Sequence, residues 1–328
     1  MRMEMAMVLG LLCLIVLMAL PFGYRPTSGI VQLPETPAKT EPPDFFSILN
    51  LNLGFCAGLS GLIEPVSNTT LNQNLSQMIQ TIQTEDPDIV CLQEVDFSAK
   101  RSGFIAQHHE LQRRLKYPYM AFVTTWNRLW VPYPLTVKIW RHFGPTWGGQ
   151  IVLSKFPITN QTHVVLQKPI NRPFWYNHFY LNRVFQKLEI QIRNKTLILG
   201  NVHLEAFDKP TRVAQAQALT PKLDPCDLLA GDFNAVEPTQ AQTYPDEPDI
   251  DYFNDETLAI LTEKGLQKTF PPTPEFLDFP SNSPNRALCQ ILYNPQHLSL
   301  IQKHRIDTFQ TASDHLGLEA IFSLNTSL

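Results

Sequence analysis

The chain has 328 residues, 44% of them hydrophobic and 17% charged, with a formal net charge of −4. These values are ordinary for a folded domain, and they exclude binding of polyanions through overall charge. About 285 residues lie beyond the N-terminal region, which is near the upper size of a single hydrophobic core.

The N-terminal region is expected to direct export. Residues 5–20 carry no charge, and this length falls between the ~7–15 residues of a signal-peptide core and the roughly 20 of a spanning helix. We predict a signal peptide or membrane anchor over residues 1–23, so that the protein is exported and either anchored or secreted. Five prolines in residues 24–43 predict a Pro-rich tether, followed by one folded domain over residues 44–328.

Apolar runs and helical periodicity alternate along this domain. Helices are predicted at 68–84, 102–115 and 211–219, and strands at 45–53, 89–94, 151–153, 163–166, 184–192, 197–202 and 318–322. Strands and helices in this order, with hairpin-like pairs, predict an α/β fold in which two mixed β-sheets pack face to face with helices outside.

Charge is distributed unevenly along the domain. Residues 111–188 contain eleven Lys and Arg but no Asp or Glu, whereas residues 224–278 hold thirteen acids. Either the basic stretch offers a face to an anionic partner, or the two stretches neutralise each other in the folded protein.

Tryptophans are concentrated in residues 125–147, where four of the chain's five lie beside cations. Such a mixture is typical of a lipid headgroup interface, or of bases stacked above a phosphate chain. The alternative is that the rings cover the sheet edge as a small additional core. The predicted membrane or substrate contacts are Trp126, Trp130, Trp140, Arg128 and Arg141.

Polar residues follow the ends of five predicted apolar strands. Carboxylates, amides and imidazoles that converge at such ends can hold a hard cation and move a proton, as phosphate ester hydrolysis requires. Asn50, two residues before Asn52, is expected to point to the opposite face and is the less favoured amide. The residues at the strand ends are Asn52, Glu94, His203, the Gly231-Asp232-Phe233-Asn234 motif and Asp314-His315.

In this order the motifs resemble the endonuclease/exonuclease/phosphatase superfamily, the DNase I-like metal-dependent phosphoesterases, over about residues 45–322. The resemblance implies a four-layer α/β sandwich. It also implies that Mg²⁺, or alternatively Mn²⁺, is held by Glu94, Asn52 and Asp314.

The same resemblance implies roles for the remaining motif residues. His315 would act as general base, and His203 would stabilise charge in the transition state. Asp232 would orient the attacking water or protonate the leaving oxygen, and Asn234 would hold a phosphoryl oxygen.

One position departs from the family pattern. Cys289 stands where the family has an Asp that orients the catalytic His, and a thiol does this poorly. Either another acid substitutes, for which Asp278 is the first candidate, or the enzyme is slow, or the chain is a degenerate member.

Three functions follow from these features. The leading one is an exported Mg²⁺-dependent phosphodiesterase that acts as a monomer on a phospholipid headgroup, like the family's sphingomyelinases. The second is a nuclease on the same scaffold, with nucleic acid as substrate. The third is a catalytically weakened, membrane-associated binding protein, suggested by Cys289.

Overall fold

Two mixed β-sheets pack face to face in the computed structural model, which describes residues 27–39, 45–60, 66–224 and 226–325. The first sheet contains, in spatial order, β1 (Ser28–Gln32), β4 (Tyr119–Val131), β5 (Gly144–Ser154), β3 (Ile89–Ala99), β2 (Phe45–Asn52), β13 (Gly317–Leu324) and β12 (Leu298–Ile306). The second contains β10 (Gln267–Lys268), β11 (Cys289–Tyr293), β9 (Leu228–Asp232), β8 (Lys195–His203), β7 (Val184–Ile192) and β6 (Ile158–Val165).

Helices cover the outer face of each sheet, which confirms the predicted four-layer α/β sandwich. Side chains of α1 (Asn68–Glu85) and α2 (Gln107–Leu115) share a hydrophobic cluster with the first sheet. Those of α4 (Lys209–Leu219) and α5 (Thr257–Thr262) do so with the second. A short helix, α3 (Phe174–Phe179), lies beside β4.

Apolar spacing explains these layers. In β2, Ile48 joins the cluster between the sheets, and its neighbour Leu49 joins the cluster under the helices, because successive strand side chains point to opposite faces. Helix α1 begins where Ser67 Oγ accepts the N–H of Thr70, and it buries one apolar face on the first sheet.

Strand order brings the functional strand ends to one edge. β2 pairs with β3 in parallel, with Asn52 opposite Gln93, and β8 pairs with β9 in parallel, with His203 opposite Asp232. β13 runs antiparallel to β2, so the residues just before it lie at the same edge.

The N-terminal predictions fall partly outside the described residues. The segment predicted as a signal peptide or anchor, residues 1–23, lies outside them, and in the part that is described no helix is long and apolar enough to cross a membrane. Within the predicted tether, residues 28–32 form β1, which pairs antiparallel with β4. The tether prediction is corrected for this stretch, because its backbone hydrogen bonds complete the edge of the first sheet.

Candidate active site

His315 lies two residues before the start of β13 and is held by a carboxylate. Its Nδ1 lies 2.8 Å from Asp278 Oδ2, and both side chains are buried. The other oxygen of Asp278 accepts the backbone N–H groups of Leu288 and Cys289 at 2.7 and 3.1 Å. Asp278 therefore fixes the orientation and tautomer of His315, whose Nδ1–H donates to the carboxylate.

Cys289 lies beside the same ring but is not the orienting group. Its Sγ is 3.5 Å from His315 Nδ1, and burial raises the pKa of the thiol well above its usual value. Of the alternatives left open by the sequence, the structure shows the substitution by another acid, and that acid is Asp278. Asp278, in the loop before β11, reaches the ring because its backbone N–H donates to the carbonyl of Arg286, which aligns this loop with the start of β11.

Opposing effects set the charge of His315. Burial lowers its pKa, but the hydrogen bond to Asp278 and the charges of Asp232 and Asp314 outweigh burial and raise the pKa to about 10. The imidazole is therefore cationic at neutral pH in this arrangement.

Glu94 lies on a β-bulge rather than at a strand end. The register between β3 and β5 shifts between Leu92 and Val95, and Glu94 has a φ of 53°. A left-handed conformation at a non-glycine residue costs energy and is frequent at functional sites. The prediction that this strand ends at Glu94 is wrong, because the strand resumes after the bulge and continues to Ala99.

Asp314 approaches the turn that follows β2. A Cβ at Gly54, where φ is +53°, would lie 2.7 Å from Asp314 Oδ1, so only glycine permits this approach. Ser313 Oγ also donates to the carbonyl oxygen of Asn52 at 2.8 Å. Asp314 is thereby fixed against the strand pair that carries Glu94.

The carboxylates predicted to bind the metal fit a hard dication. Burial first, and the charge of Asp314 second, raise the pKa of Glu94 to about 7, against the opposing charges of Arg183 and Arg101. Two partly buried carboxylates that repel each other are stabilised by a cation between them. Mg²⁺ and Mn²⁺ prefer oxygen ligands, and Mg²⁺ needs only one or two carboxylates when water and phosphate fill the other positions.

Asn52, the third predicted ligand, is used differently. Its Oδ1 accepts the N–H of Gly54 at 3.0 Å, and its Nδ2 donates to Asp232 Oδ2 at 2.9 Å. These bonds make Asn52 a residue that positions Asp232, and its predicted contact with the metal stays a prediction.

Asp232 lies between two imidazoles. Its Oδ2 is 3.5 Å from His203 Nε2 and 3.7 Å from His315 Nε2, while His203 Nε2 is 3.8 Å from Glu94 Oε1. Burial, followed by the charges of Arg183 and His315, lowers the pKa of His203 well below its usual value. His203 is therefore neutral where His315 is charged, which gives the two imidazoles different chemistry.

A second set of ligand atoms converges beside Asp232. The nearest ligand atoms of Asp232, Cys289 and His315 lie within 4.8 Å of one another. A thiol and an imidazole suit softer ions than Mg²⁺, so this set differs in chemistry from the pair formed by Glu94 and Asp314.

Asn234 follows β9 with a φ of 51°. Its backbone N–H donates to Asp232 Oδ1 at 2.9 Å, and its Nδ2 donates to the carbonyl of Leu204 at 3.1 Å. The side chain thus connects the ends of β8 and β9, and its predicted contact with a phosphoryl oxygen stays a prediction. Phe233 is fully buried in the core, as expected for the residue between two polar groups.

Asn50 points to the same face as Asn52, so the expectation that it faces away is wrong. Residues two apart in a strand share a face. Asn50 Nδ2 donates across the sheet interface to the carbonyl of Gly231 at 3.0 Å, and its Oδ1 accepts from Gln93 Nε2 at 2.9 Å. Gln93 also donates to Asn201 Oδ1 in the second sheet at 2.8 Å. We call the side chains of Asn50, Gln93 and Asn201 the inter-sheet amide network.

Two arginines near the site were not singled out from the sequence. Arg101 and Arg183 are almost fully buried, and each has at least one guanidinium nitrogen without a hydrogen-bond partner among the described residues. Arg101 lines a cleft together with Glu94 and His203, and it is held by two hydrogen bonds to Asp96 at 3.0 and 2.8 Å. The only signal for these arginines in the sequence was the acid-free stretch of residues 111–188. That stretch contains Arg183 but not Arg101.

The predicted aromatic and basic contacts divide into two groups. Trp126 is only 8% exposed and lines the same cleft, while Trp130 donates to His142 Nδ1 at 3.1 Å and Arg128 to the carbonyl of His178 at 2.6 Å. The two rings pack and bond within the protein, as the additional-core alternative predicts, and the predicted membrane or substrate contacts of these three side chains stay predictions. Trp140 is 69% exposed, and it lies with the half-buried Arg141 at the tip of the β4–β5 hairpin.

Comparisons with known proteins agree with this architecture. The sequence model of the Endonuclease/Exonuclease/phosphatase family matches residues 49–315, whereas no curated protein matches. Solved structures with the same fold include an endonuclease/exonuclease/phosphatase from Beutenbergia cavernae DSM 12333, at 18% identity and TM-score 0.60, covering 86% of this chain and 72% of that one.

Two further structures have named activities or ligands. Mannosyl-6-phosphatase Bt3783 of Bacteroides thetaiotaomicron VPI-5482 has 15% identity and TM-score 0.57, covering 85% of this chain and 99% of that one. D. rerio TDP2 complexed with single strand DNA product has 16% identity and TM-score 0.54, covering 86% and 100%. Identities this low show a shared fold alone. The family match over most of the domain, together with this fold, shows that the chain belongs to the endonuclease/exonuclease/phosphatase family, with a DNase I-like architecture.

Proposed function

We propose that this protein is an exported, divalent-cation-dependent phosphodiesterase that hydrolyses a phospholipid headgroup ester. Members of its family are typically metal-dependent hydrolases of phosphoric esters. The observation that carries the proposal is the pair of His315 and Asp278, oriented toward Asp232 at the edge where Glu94 and Asp314 lie. This arrangement supplies an acid–base group next to a cation site, and it supports an active enzyme over the weakened binding protein.

Each side chain has a role that follows from its partners. Glu94 and Asp314 would hold Mg²⁺ or Mn²⁺, which, when bound, neutralises phosphoryl oxygens and lowers the pKa of His315 so that the neutral imidazole can accept a proton. Asp278 keeps Nε2 of His315 directed at the site. His203, neutral and 3.5 Å from Asp232, donates a hydrogen bond to charge that develops on the phosphate.

The surface near the site favours a lipid substrate. The β4–β5 hairpin runs from Trp126 in the cleft to a tip where Leu135, Val137 and Trp140 are exposed, Val137 by 94%. Monomeric proteins rarely expose so many large apolar side chains together unless they bind something there. Exposed apolar residues of the tip and of the adjoining α3 segment are Leu135, Val137, Ile139, Trp140, Ile170 and Phe174.

Charge at the tip fits the same partner. Lys138 is exposed among these apolar residues, and no acid occurs between residues 111 and 188. Cations beside inserted apolar side chains match phosphate groups above a hydrocarbon layer. A nuclease is the second candidate, supported by the same acid-free stretch.

The test compares substrates under matched conditions. Full-length protein with Mg²⁺ would be assayed on sphingomyelin vesicles, phosphatidylcholine vesicles, single- and double-stranded DNA, and bis(p-nitrophenyl) phosphate. We expect turnover of a vesicle substrate to exceed that of DNA by at least tenfold, and to disappear in EDTA. Faster cleavage of DNA would replace the lipid proposal with the nuclease, and turnover that persists in EDTA would remove the cation mechanism.

A further inference from the structure

We propose that Glu85, His304 and Glu319 form a second metal site, suited to Zn²⁺, on the opposite face of the first sheet from the active site. One ligand atom from each of the three lies within 4.8 Å of the others. The inference does not depend on the proposed catalytic function.

Strand pairing and a helix end bring these residues together. His304 on β12 lies directly opposite Glu319 on β13, so the two side chains share a face. Glu85 is the last residue of α1, which packs on that face. Glu319 is also paired with Leu49, whose side chain faces the helices, whereas Asn50 faces the other sheet and the catalytic groups.

The separations fit a tetrahedral ion. His304 Nε2 lies 3.3 Å from Glu85 Oε2 and 3.8 Å from Glu319 Oε2. Two ligands that each lie about 2.0–2.1 Å from a tetrahedral zinc are roughly 3.3–3.4 Å apart. Three protein ligands plus one water complete such a coordination sphere with little movement.

Unpartnered buried atoms point to a missing ligand. The side chain of Glu319 is 4% exposed, and its Oε2, directed at the cluster, has no hydrogen-bond partner in the part of the chain that the structure describes. A buried carboxylate oxygen without a partner is costly, and coordination to a cation would satisfy it. Nδ1 of His304 is likewise buried, and no described residue is its hydrogen-bond partner.

The donor set selects the class of metal. Imidazole with carboxylates suits Zn²⁺ and related transition ions, whereas Mg²⁺ and Ca²⁺ prefer oxygen alone. His304 is 37% exposed, and its strand, β12, is at the edge of the sheet, so an ion can enter. When bound, the ion would join the C-terminal end of α1 to that edge, which makes the site structural.

Zinc binding would be measured on the full-length protein with the catalytic site saturated by Mg²⁺. Isothermal titration with ZnSO₄ should show one tight site per chain, and the melting temperature should rise by several degrees as zinc binds the folded state. Co²⁺ in its place should give the intense visible absorption of tetrahedral coordination. His304→Gln and Glu85→Gln should each weaken zinc binding at least tenfold.

Two controls separate this site from the catalytic centre. Glu94→Gln removes an active-site carboxylate, and Cys289→Ser removes the thiol beside Asp232 and His315; both should keep the tight zinc site. Absence of zinc binding to the wild type would overturn the proposal, as would binding that survives in Glu85→Gln but is lost in Cys289→Ser. Glu85 lies at a helix end, so its variant keeps the test decisive if His304→Gln does not fold.

Discussion

Asp278 is the residue on which turnover is expected to depend most clearly. Replacing it by Asn keeps the shape but removes the charge that holds the His315 tautomer, so turnover should fall by about 10³–10⁴. Cys289→Ala is the matched control, since Sγ contacts the same Nδ1 and should cost less than about tenfold. Steady-state assays of both variants would decide, and equal losses would show that the thiol shares the orienting role.

Glu94 should matter for activity far more than for stability. Glu94→Gln removes a proposed cation ligand, so turnover in Mg²⁺ should fall by more than ~100-fold, a loss that even indirect partners of a metal produce. The melting temperature without added cation should hold or rise, since the amide ends the repulsion with Asp314. Glu110→Gln, in an exposed ion pair with Arg113, is the control and should change neither quantity.

For individual residues, the sequence predicted which side chains belong to the site better than it predicted which side chains they contact. It indicated Glu94, Asp232 and His315 because each adjoins an apolar run. It could not show that Asp278 reaches His315, because that contact depends on hydrogen bonds between a loop and a strand. Arg101 was missed for a similar reason, since its burial depends on Asp96 and the aromatic ring of Phe55, 3.3 Å from its guanidinium.

A buried histidine in helix α2, His108, is expected to make the stability of the protein depend on pH. His108 is buried against Phe97, with ring centroids 4.4 Å apart, and burial followed by the charge of His109 lowers its pKa to about 3. Below pH ~6.5 the unfolded chain binds a proton that the folded chain does not. The free energy of unfolding therefore decreases as the pH is lowered. From pH 7 to pH 5 the loss should be about 2 kcal/mol.

Urea unfolding at the two pH values would measure this effect. His108→Gln should lose about 2 kcal/mol less than the wild type over the same interval, because Gln does not titrate. Equal losses in the two proteins would mean that the imidazole already takes up its proton in the folded state.

The β4–β5 hairpin should bind vesicles through its tip. Val137→Glu with Trp140→Glu should weaken vesicle affinity by at least ~100-fold, since burying each side chain contributes roughly 1.5–3 kcal/mol. Turnover of soluble bis(p-nitrophenyl) phosphate should stay unchanged. Trp126→Ala is the contrasting variant, and it should lose ~3–5 kcal/mol of stability because that ring is buried.

Elements were predictable to the extent that their apolar pattern was regular. The predicted helix over 68–84 and the strand over 184–192 agree closely with α1 and β7, since both have clear periodicity. No strand was predicted in the 125–147 segment, which is the end of a hairpin of the first sheet. Tryptophans and prolines there obscured the strand alternation.

For the whole molecule, the layered architecture followed from the order of strands and helices and from the family motifs. The position of one sheet relative to the other could not be predicted, because it depends on which side chains form hydrogen bonds across the interface between the sheets. Polar residues inside apolar strands, such as Gln93 and Asn201, are the signal that marks these bonds.

The inter-sheet amide network has a consequence for catalytic precision. Glu94 lies on the first sheet and Asp314 in the loop before its strand β13, whereas His203 and Asp232 belong to the second sheet. Translation of one sheet along the other therefore changes the distances between these two pairs. The apolar cluster between the sheets is non-directional and resists such translation weakly. The hydrogen bonds from Asn50 to the carbonyl of Gly231 at 3.0 Å and from Gln93 to Asn201 at 2.8 Å cross between the sheets and fix one relative position. Because a displacement of ~1 Å can cost ~100-fold in rate, these buried amides act as alignment elements, and their loss would silence the enzyme in a protein that is still folded.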